Sequence, residues 1–68
     1  MSHYVQQVTY RKLPRGKKHY TENVISDSPK DAHDALKEAK GNIEIIDNTT
    51  LLLSMLDEKD VKDSIIAE

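Results

Sequence analysis

The chain has 68 residues, of which 37% are hydrophobic and 32% are charged, with a formal net charge of −2 and no Cys, Trp or Phe. A chain of this length forms one domain, and we expect residues 1–68 to fold as a single compact unit. The absence of cysteine excludes disulfide bonds and thiolate metal sites as sources of stability. A core without Phe or Trp is thin, so a homodimer is one expected way of adding buried surface.

The sequence predicts no export or membrane segment. Residues 1–7 lack the apolar run of a signal peptide. The most apolar stretch, residues 51–56, contains Ser54 and is much shorter than the roughly 20 residues that span a bilayer. We therefore expect a cytoplasmic protein with no membrane partner.

The charges are distributed unevenly along the chain. Residues 1–21 contain five basic and no acidic side chains, whereas residues 22–68 contain five Lys and all twelve Asp and Glu. A molecule with such separated charges can steer an anionic partner towards one end and repel it from the other.

Residues 4–26 predict a β-hairpin. Tyr4, Val8 and Tyr10 share one face of a first strand over residues 4–12. Pro14 and Gly16 then favour a type II turn, in which Gly16 would take a positive φ, or a slightly longer loop.

The second strand is predicted over residues 18–26, with one irregularity near its end. Tyr20 and Val24 share a face, but Ile25 falls on the other. Either a β-bulge or a strand end that is covered on both faces would explain this pattern.

The clearest local signal in the chain predicts a helix over residues 29–40. Ser28 is suited to the N-cap, Pro29 to the first helical position, and Asp31 to a capping box with a shortened acid. Gly41 and Asn42 predict the end of the helix. Its apolar stripe consists of Ala32, Ala35, Leu36 and Ala39.

The remaining residues allow two interpretations. In the first, residues 43–46 form a strand, Asp47 and Asn48 a turn, residues 49–55 a returning strand and residues 57–67 an acidic helix. In the second, one helix runs from Thr50 to the end, because the three consecutive Leu residues are good helix formers. Consecutive Leu side chains in a strand would also place apolar groups on both faces, which favours self-association.

The predicted fold class is therefore α+β. We expect an antiparallel sheet with helices on one face and the order β-β-α-β-β-α, or β-β-α-β-α if the C-terminal residues form one long helix.

The hairpin tip is the main candidate for a binding site, because five of the ten Lys and Arg residues lie between residues 11 and 18. Cations at this density suit an acidic protein surface or nucleic-acid phosphates, and flanking tyrosines could stack on bases or pack at an interface. Charged hairpin tips also serve solubility alone. The candidate partner-binding residues are Tyr10, Arg11, Lys12, Arg15, Lys17, Lys18, His19 and Tyr20.

No other pattern predicts catalysis, a cofactor or a metal. His3, His19 and His33 lack the spacing of metal ligands. Asp31, His33 and Asp34 resemble an acid–base cluster, but residues one or two apart on a helix do not face each other. We expect a protein that is not an enzyme and that has no cofactor.

The acidic segment over residues 57–63 has two explanations. Its acids complement a helix dipole and allow a Glu58–Lys62 pair, or they form a face that docks on a basic partner. That partner could be the basic hairpin of a second copy.

The order strand, hairpin, strand, Ser28-Pro29-Lys30-Asp31-Ala32 helix and strand, over residues 4–46, is similar in layout to small phage proteins that bind and inhibit host machinery, including the podophage inhibitor of host RNA polymerase. This resemblance implies a phage or mobile-element protein that inhibits or modulates a host protein. The expected function is a non-enzymatic, regulatory protein-binding module that uses the basic hairpin. The alternative is a small RNA- or DNA-binding protein that uses the same hairpin.

Overall fold

The structure, a computed structural model, describes residues 3–67. It confirms a small α+β fold, built on a four-stranded mixed sheet of order β3-β1-β2-β4. The strands are β1 (Tyr4–Lys12), β2 (His19–Ile25), β3 (Ile43–Leu52) and β4 (Ile65–Ile66). The helices are α1 (Pro29–Lys40) and α2 (Glu58–Asp63), with a short 3-10 helix at Leu53–Met55.

The β1–β2 hairpin is confirmed, and its connection over residues 13–18 is the longer loop of the two predicted alternatives rather than the type II turn. The Leu13–Pro14 peptide bond is cis, and of the two glycines, both of which lie within residues 3–67, Gly41 has a positive φ and Gly16 does not. Gly16 is required for another reason: a β-carbon there would overlap the carbonyl oxygen of Lys12, which accepts a hydrogen bond from the Gly16 amide at 2.6 Å. The predicted type II turn is therefore wrong.

The irregular end of β2 is explained by coverage on both faces. The β1–β2 register is unbroken from Val5–Ile25 to Arg11–His19, so the hairpin has no bulge. Val24 and Ile25 are both buried although they point to opposite faces of the sheet.

Helix α1 has the predicted bounds because its end signals are local. The Ser28 hydroxyl accepts a hydrogen bond from the Asp31 amide, and Gly41 ends the helix with φ 87°. In the predicted capping box, the Asp31 side chain would accept a hydrogen bond from the Ser28 amide. In the structure the Ser28 amide donates instead to the hydroxyl of the buried Ser26. Ala32 and Leu36 are fully buried, but Ala39, expected in the apolar stripe, is exposed.

Strand β3 runs through the predicted turn, so the expectation of two strands over residues 43–55 is wrong. Asp47 and Asn48 pair with Thr9 and Val8 of β1, and Ile46 is an extra residue at a bulge. Hydrogen bonds from the Asn48 side chain to neighbouring elements hold this residue in the sheet. The bulge places Ile43 and Ile45 on the same face as the later residue Asn48.

The C-terminal helix is shorter than either interpretation predicts. Asp57 caps α2 by accepting a hydrogen bond from the Asp60 amide, and Ser64 is already extended with φ −81° and ψ 151°. Ile65 and Ile66 then pair in parallel with Val24 and Ile25, which makes the sheet mixed rather than antiparallel. The open edge of β2 offers hydrogen-bond partners to the backbone of Ile65 and Ile66. The same backbone groups would lack protein partners in the last turn of a solvent-exposed helix.

The two faces of the sheet are covered by different parts of the chain. Helix α1 lies on the first face, where the core consists of Val8, Tyr10, Val24, Ala32, Leu36 and Ile43. Val5 and Ile25 are buried on the opposite face. By the right-handed rule for crossovers between parallel strands, the β2–β3 and β3–β4 connections, which run in opposite directions across the sheet, are expected to use opposite faces, and the burial of Val5 and Ile25 agrees with this expectation.

Within residues 3–67, no helix is both long enough and apolar enough to cross a membrane.

Candidate functional site

The hairpin places most of the predicted contact residues on one exposed end of the molecule. Lys12 ends β1 and His19 begins β2, so the intervening residues form a loop that extends beyond the sheet. Lys12, Arg15, Lys17, Lys18 and His19 are all exposed. This loop therefore concentrates four cationic side chains with free access to a partner.

Arg11 has a different role from its neighbours. Its guanidinium donates to both carboxylate oxygens of Glu44 on β3, at 3.1 and 3.0 Å. Hydrogen bonding and then charge raise the pKa of Arg11 and lower the pKa of Glu44. A third bond reaches the Gly16 carbonyl oxygen at 3.4 Å. Arg11 thus ties the loop to β3, and its charge is already matched within the fold.

The two tyrosines support the loop rather than offering free rings. Their ring centroids lie 5.6 Å apart with an interplanar angle of 24°. Tyr10 is only 2% exposed, and this burial raises the pKa of its hydroxyl. Tyr20 is half-buried, and the ammonium groups of Lys12 and Lys18 each lie 5.3 Å from its ring centroid. The expectation that Tyr10 touches a partner is therefore corrected by its burial.

The end of α1 adds two cations that sequence reasoning missed. The Leu13 amide donates to the Asn42 carbonyl at 3.0 Å, which brings the last turn of α1 beside the hairpin loop. Lys37 and Lys40 lie in that turn, and Lys40 contacts Glu22 at 3.5 Å. The sequence signal that could have predicted this proximity is the short connection, of two residues, between the end of α1 and the start of β3. We call Lys12, Arg15, Lys17, Lys18 and Lys37 the basic pole, since Lys40, like Arg11, already has a counter-ion within the fold.

The acidic segment lies at the other end of the sheet. The Leu53 amide donates to the His3 carbonyl, and the Ala67 amide donates to the Ile25 carbonyl, so residues 53–67 are anchored opposite the hairpin loop. The molecule measures 35 × 19 × 17 Å, and strands of nine or ten residues, about 30 Å long, lie along its length. We call Asp57, Glu58, Asp60 and Asp63 the acidic pole.

The carboxylates of the acidic pole lie close enough together to repel one another. The pKa of Asp60 is raised because its protonated carboxyl can donate a hydrogen bond to Asp57, and because the charge of Asp57 repels a second carboxylate. Only the exposed Glu58–Lys62 pair, at 3.7 Å, joins opposite charges within α2. The fold thus converts the uneven charge distribution of the sequence into two poles separated along its long axis.

The helix histidine belongs to a structural network rather than to an acid–base pair. Gln6 is fully buried, donates to the Ser26 carbonyl at 3.1 Å and accepts from Asn48 at 2.8 Å. Because the Asn48 amide group donates to Gln6, its oxygen accepts from His33 Nε2 at 2.8 Å. Asp31 and Asp34 are exposed and outside this network.

Two further observations bear on function. Across residues 3–67 no group of three or more His, Cys, Asp or Glu side chains could hold a metal ion. In comparisons with known proteins, no family model, curated protein or solved structure matches the chain.

Proposed function

We propose that the protein is a non-enzymatic, regulatory binding module that places its basic pole on the acidic surface of a protein partner. One observation supports this proposal above all. The ion pairs of the described residues involve Arg11, Lys40 and Lys62, and thus leave Lys12, Arg15, Lys17 and Lys18 exposed without an internal counter-ion. The bonds of Arg11 to Glu44 and to the Gly16 carbonyl hold the backbone of the loop, so these cations are already clustered before a partner binds.

The charge separation favours a local contact. A partner with an acidic patch is attracted to the basic pole and repelled by the acidic pole, so it approaches in one orientation. The module would modulate its partner by covering that patch. An extended nucleic acid would instead run past the acidic pole, which disfavours a long footprint.

The tyrosines also favour a protein partner over the RNA- or DNA-binding alternative. Single-stranded nucleic acids bind to exposed aromatic rings on which bases stack. Tyr10 is buried, and Tyr20 is flanked by Tyr10 and two Lys side chains. The site therefore offers point charges without an open stacking platform.

Charge reversal at the basic pole tests this proposal. The triple variant Arg15→Glu, Lys17→Glu, Lys18→Glu is compared with Lys30→Glu, Lys59→Glu, Lys62→Glu, which changes the net charge equally at exposed positions outside the basic pole. Each immobilised protein is used to capture partners from a lysate of the source cells. We expect the wild type and the control to recover the same proteins and the hairpin variant to lose them.

Two results would contradict the proposal. Recovery of the same proteins by the hairpin variant would remove the hairpin as the contact site. Binding of the wild type to single- or double-stranded oligonucleotides that persists at about 150 mM salt, where exposed charges are screened beyond about 8 Å, would favour the nucleic-acid alternative.

A further inference from the structure

The outer edge of β3 is long and is interrupted near its middle by the bulge at Ile46 and by Asp47, whose carboxylate accepts a hydrogen bond from the Asn48 amide. Among residues 3–67, β3 is one of the two edge strands of the sheet, and its ten residues contain no Lys, Arg or Pro. Edge strands in natural proteins are usually short or carry such residues, which prevent pairing with another chain. The opposite edge differs, because β4 covers Val24 and Ile25 and the rest of β2 adjoins the basic pole.

The regular part of this edge is suited to pairing with itself. After the bulge at Ile46, residues 47–52 continue in register with β1 to the end of β3. Residues that lie opposite each other in an antiparallel pair point to the same face of the sheet. A two-fold axis between two β3 strands must therefore place one residue opposite its own copy, because any other position would oppose residues that point to different faces. An axis at Thr49 places Thr49 opposite its own copy and Asp47 opposite Leu51, with no like charges opposed.

The same axis brings exposed apolar side chains together. Ile46 is 42% exposed and Leu52 is 47% exposed. With the axis at Thr49, Ile46 of one copy lies beside Leu52 of the other, and the two-fold symmetry repeats this contact. The pairing therefore buries apolar area and offers partners to the outward backbone groups of β3, among which the Asn48 amide would exchange its bond to the Asp47 carboxylate for one across the axis.

The two poles add a favourable charge arrangement. In an antiparallel pair, the basic pole of each copy lies at the same end as the acidic pole of the other. Lys12 pairs with Ile43, and the partner strand would lie two strand spacings, about 10 Å, from β1. That distance exceeds the Debye length of about 8 Å at physiological salt, so the attraction between opposite poles orients the two copies mainly at low salt.

We propose that two copies of this chain associate through an antiparallel β3–β3 contact centred on Thr49, which forms a continuous eight-stranded sheet with both α1 helices on one face. This inference goes beyond the proposed function, because it concerns a different surface. The hairpin loops remain exposed at opposite ends of the assembly, so the two copies present two basic poles.

Sedimentation of the wild type and two lysine variants tests whether the chain associates through the outer edge of β3. Ile46→Lys adds a charge to the β3 edge, and its matched control, Ile66→Lys, adds the same charge at a 68% exposed position on the opposite edge. Over about 10 µM to about 1 mM, a range that spans weak association, we expect the wild type and Ile66→Lys to approach twice the single-chain mass. Ile46→Lys should keep the single-chain mass, with an unchanged circular dichroism spectrum.

Cysteine cross-linking gives a second readout that does not depend on Ile46→Lys. The chain has no Cys, so Thr49→Cys introduces a single thiol at the expected axis. Opposed residues in an antiparallel pair have Cα atoms about 4.5–5.5 Å apart, within the range of a disulfide. With oxidised glutathione we expect a covalent dimer for Thr49→Cys and none for Thr21→Cys, an exposed control on β2.

The proposal is overturned by a wild type that keeps the single-chain mass throughout. It is equally overturned if folded Ile46→Lys associates like the wild type, or if Thr49→Cys cross-links no more than Thr21→Cys.

Discussion

Arg11 and Glu44 form the most directed ion pair in the molecule. Two hydrogen bonds join the guanidinium to both carboxylate oxygens, and a third bond connects Arg11 to the hairpin loop. Bidentate geometry of this kind fixes both side chains, unlike an ordinary surface pair. Arg11 was predicted to contact a partner, but it has an internal role instead. The sequence pattern did not reveal this role because Glu44, its counter-ion, is 33 residues away in the sequence.

The pair predicts a dependence of stability on pH. Arg11 holds the pKa of Glu44 below its ordinary value of 4.5, so the folded state favours the ionised carboxylate. The stabilisation is present above pH 4.5 and is lost as the pH falls through the lower pKa of folded Glu44. In Arg11→Met we expect the pKa of Glu44, followed by NMR titration, to rise towards 4.5.

Lys62→Met is the matched control for this titration. It removes the exposed partner of Glu58 in α2 and leaves Arg11 in place. The pKa of Glu44 should therefore equal the wild-type value. An unchanged pKa of Glu44 in Arg11→Met would show that the bidentate pair does not form.

At the scale of elements, the sequence predicted the bounds of a helix or strand correctly where neighbouring residues decide them. It failed where contacts with distant residues decide them. Helix α1 has the expected bounds because Ser28, Pro29 and Gly41 act on their own backbone neighbours. Strand β3 was divided in error because Asp47 and Asn48 favour turns, whereas Gln6 and His33 hold the Asn48 side chain. The sequence pattern of residues 47–48 carries no information about these distant partners.

The Gln6 network predicts a measurable difference between two adjacent residues. Gln6→Leu leaves the buried Ser26 carbonyl and the side-chain nitrogen of Asn48 without a partner, while the Asn48 side-chain oxygen keeps its bond to His33. We expect the free energy of unfolding to fall by about 2 kcal/mol, the usual cost of a buried unsatisfied polar group. Urea titration followed by circular dichroism measures this change.

Gln7→Leu is the control for Gln6→Leu. Gln7 lies on the opposite face of β1 and is half-buried, so the same change should alter stability by less than about 0.5 kcal/mol. Equal stabilities of the two variants would contradict a structural role for the network that joins β1, β3 and α1.

At the scale of the whole molecule, the charge poles are the main consequence of the fold. The sequence predicted a basic hairpin and an acidic remainder, because the counts in residues 1–21 and 22–68 differ so strongly. It did not predict that Lys37 joins the basic pole, since that depends on where α1 ends in space. Nor did it predict the burial of Tyr10, because strand alternation does not show which face α1 covers.

The most direct test of the central claim is an NMR titration of the isotope-labelled protein with polyglutamate, a defined acidic polypeptide. We expect the largest shift changes in the backbone amides of residues 12–19 and in the last turn of α1, and none in α2. The variant Arg15→Glu, Lys17→Glu, Lys18→Glu should lose these changes, because the attraction depends on the exposed cations. Changes that are spread evenly, that centre on the acidic pole or that persist in this variant would contradict the assignment of the basic pole as the contact site.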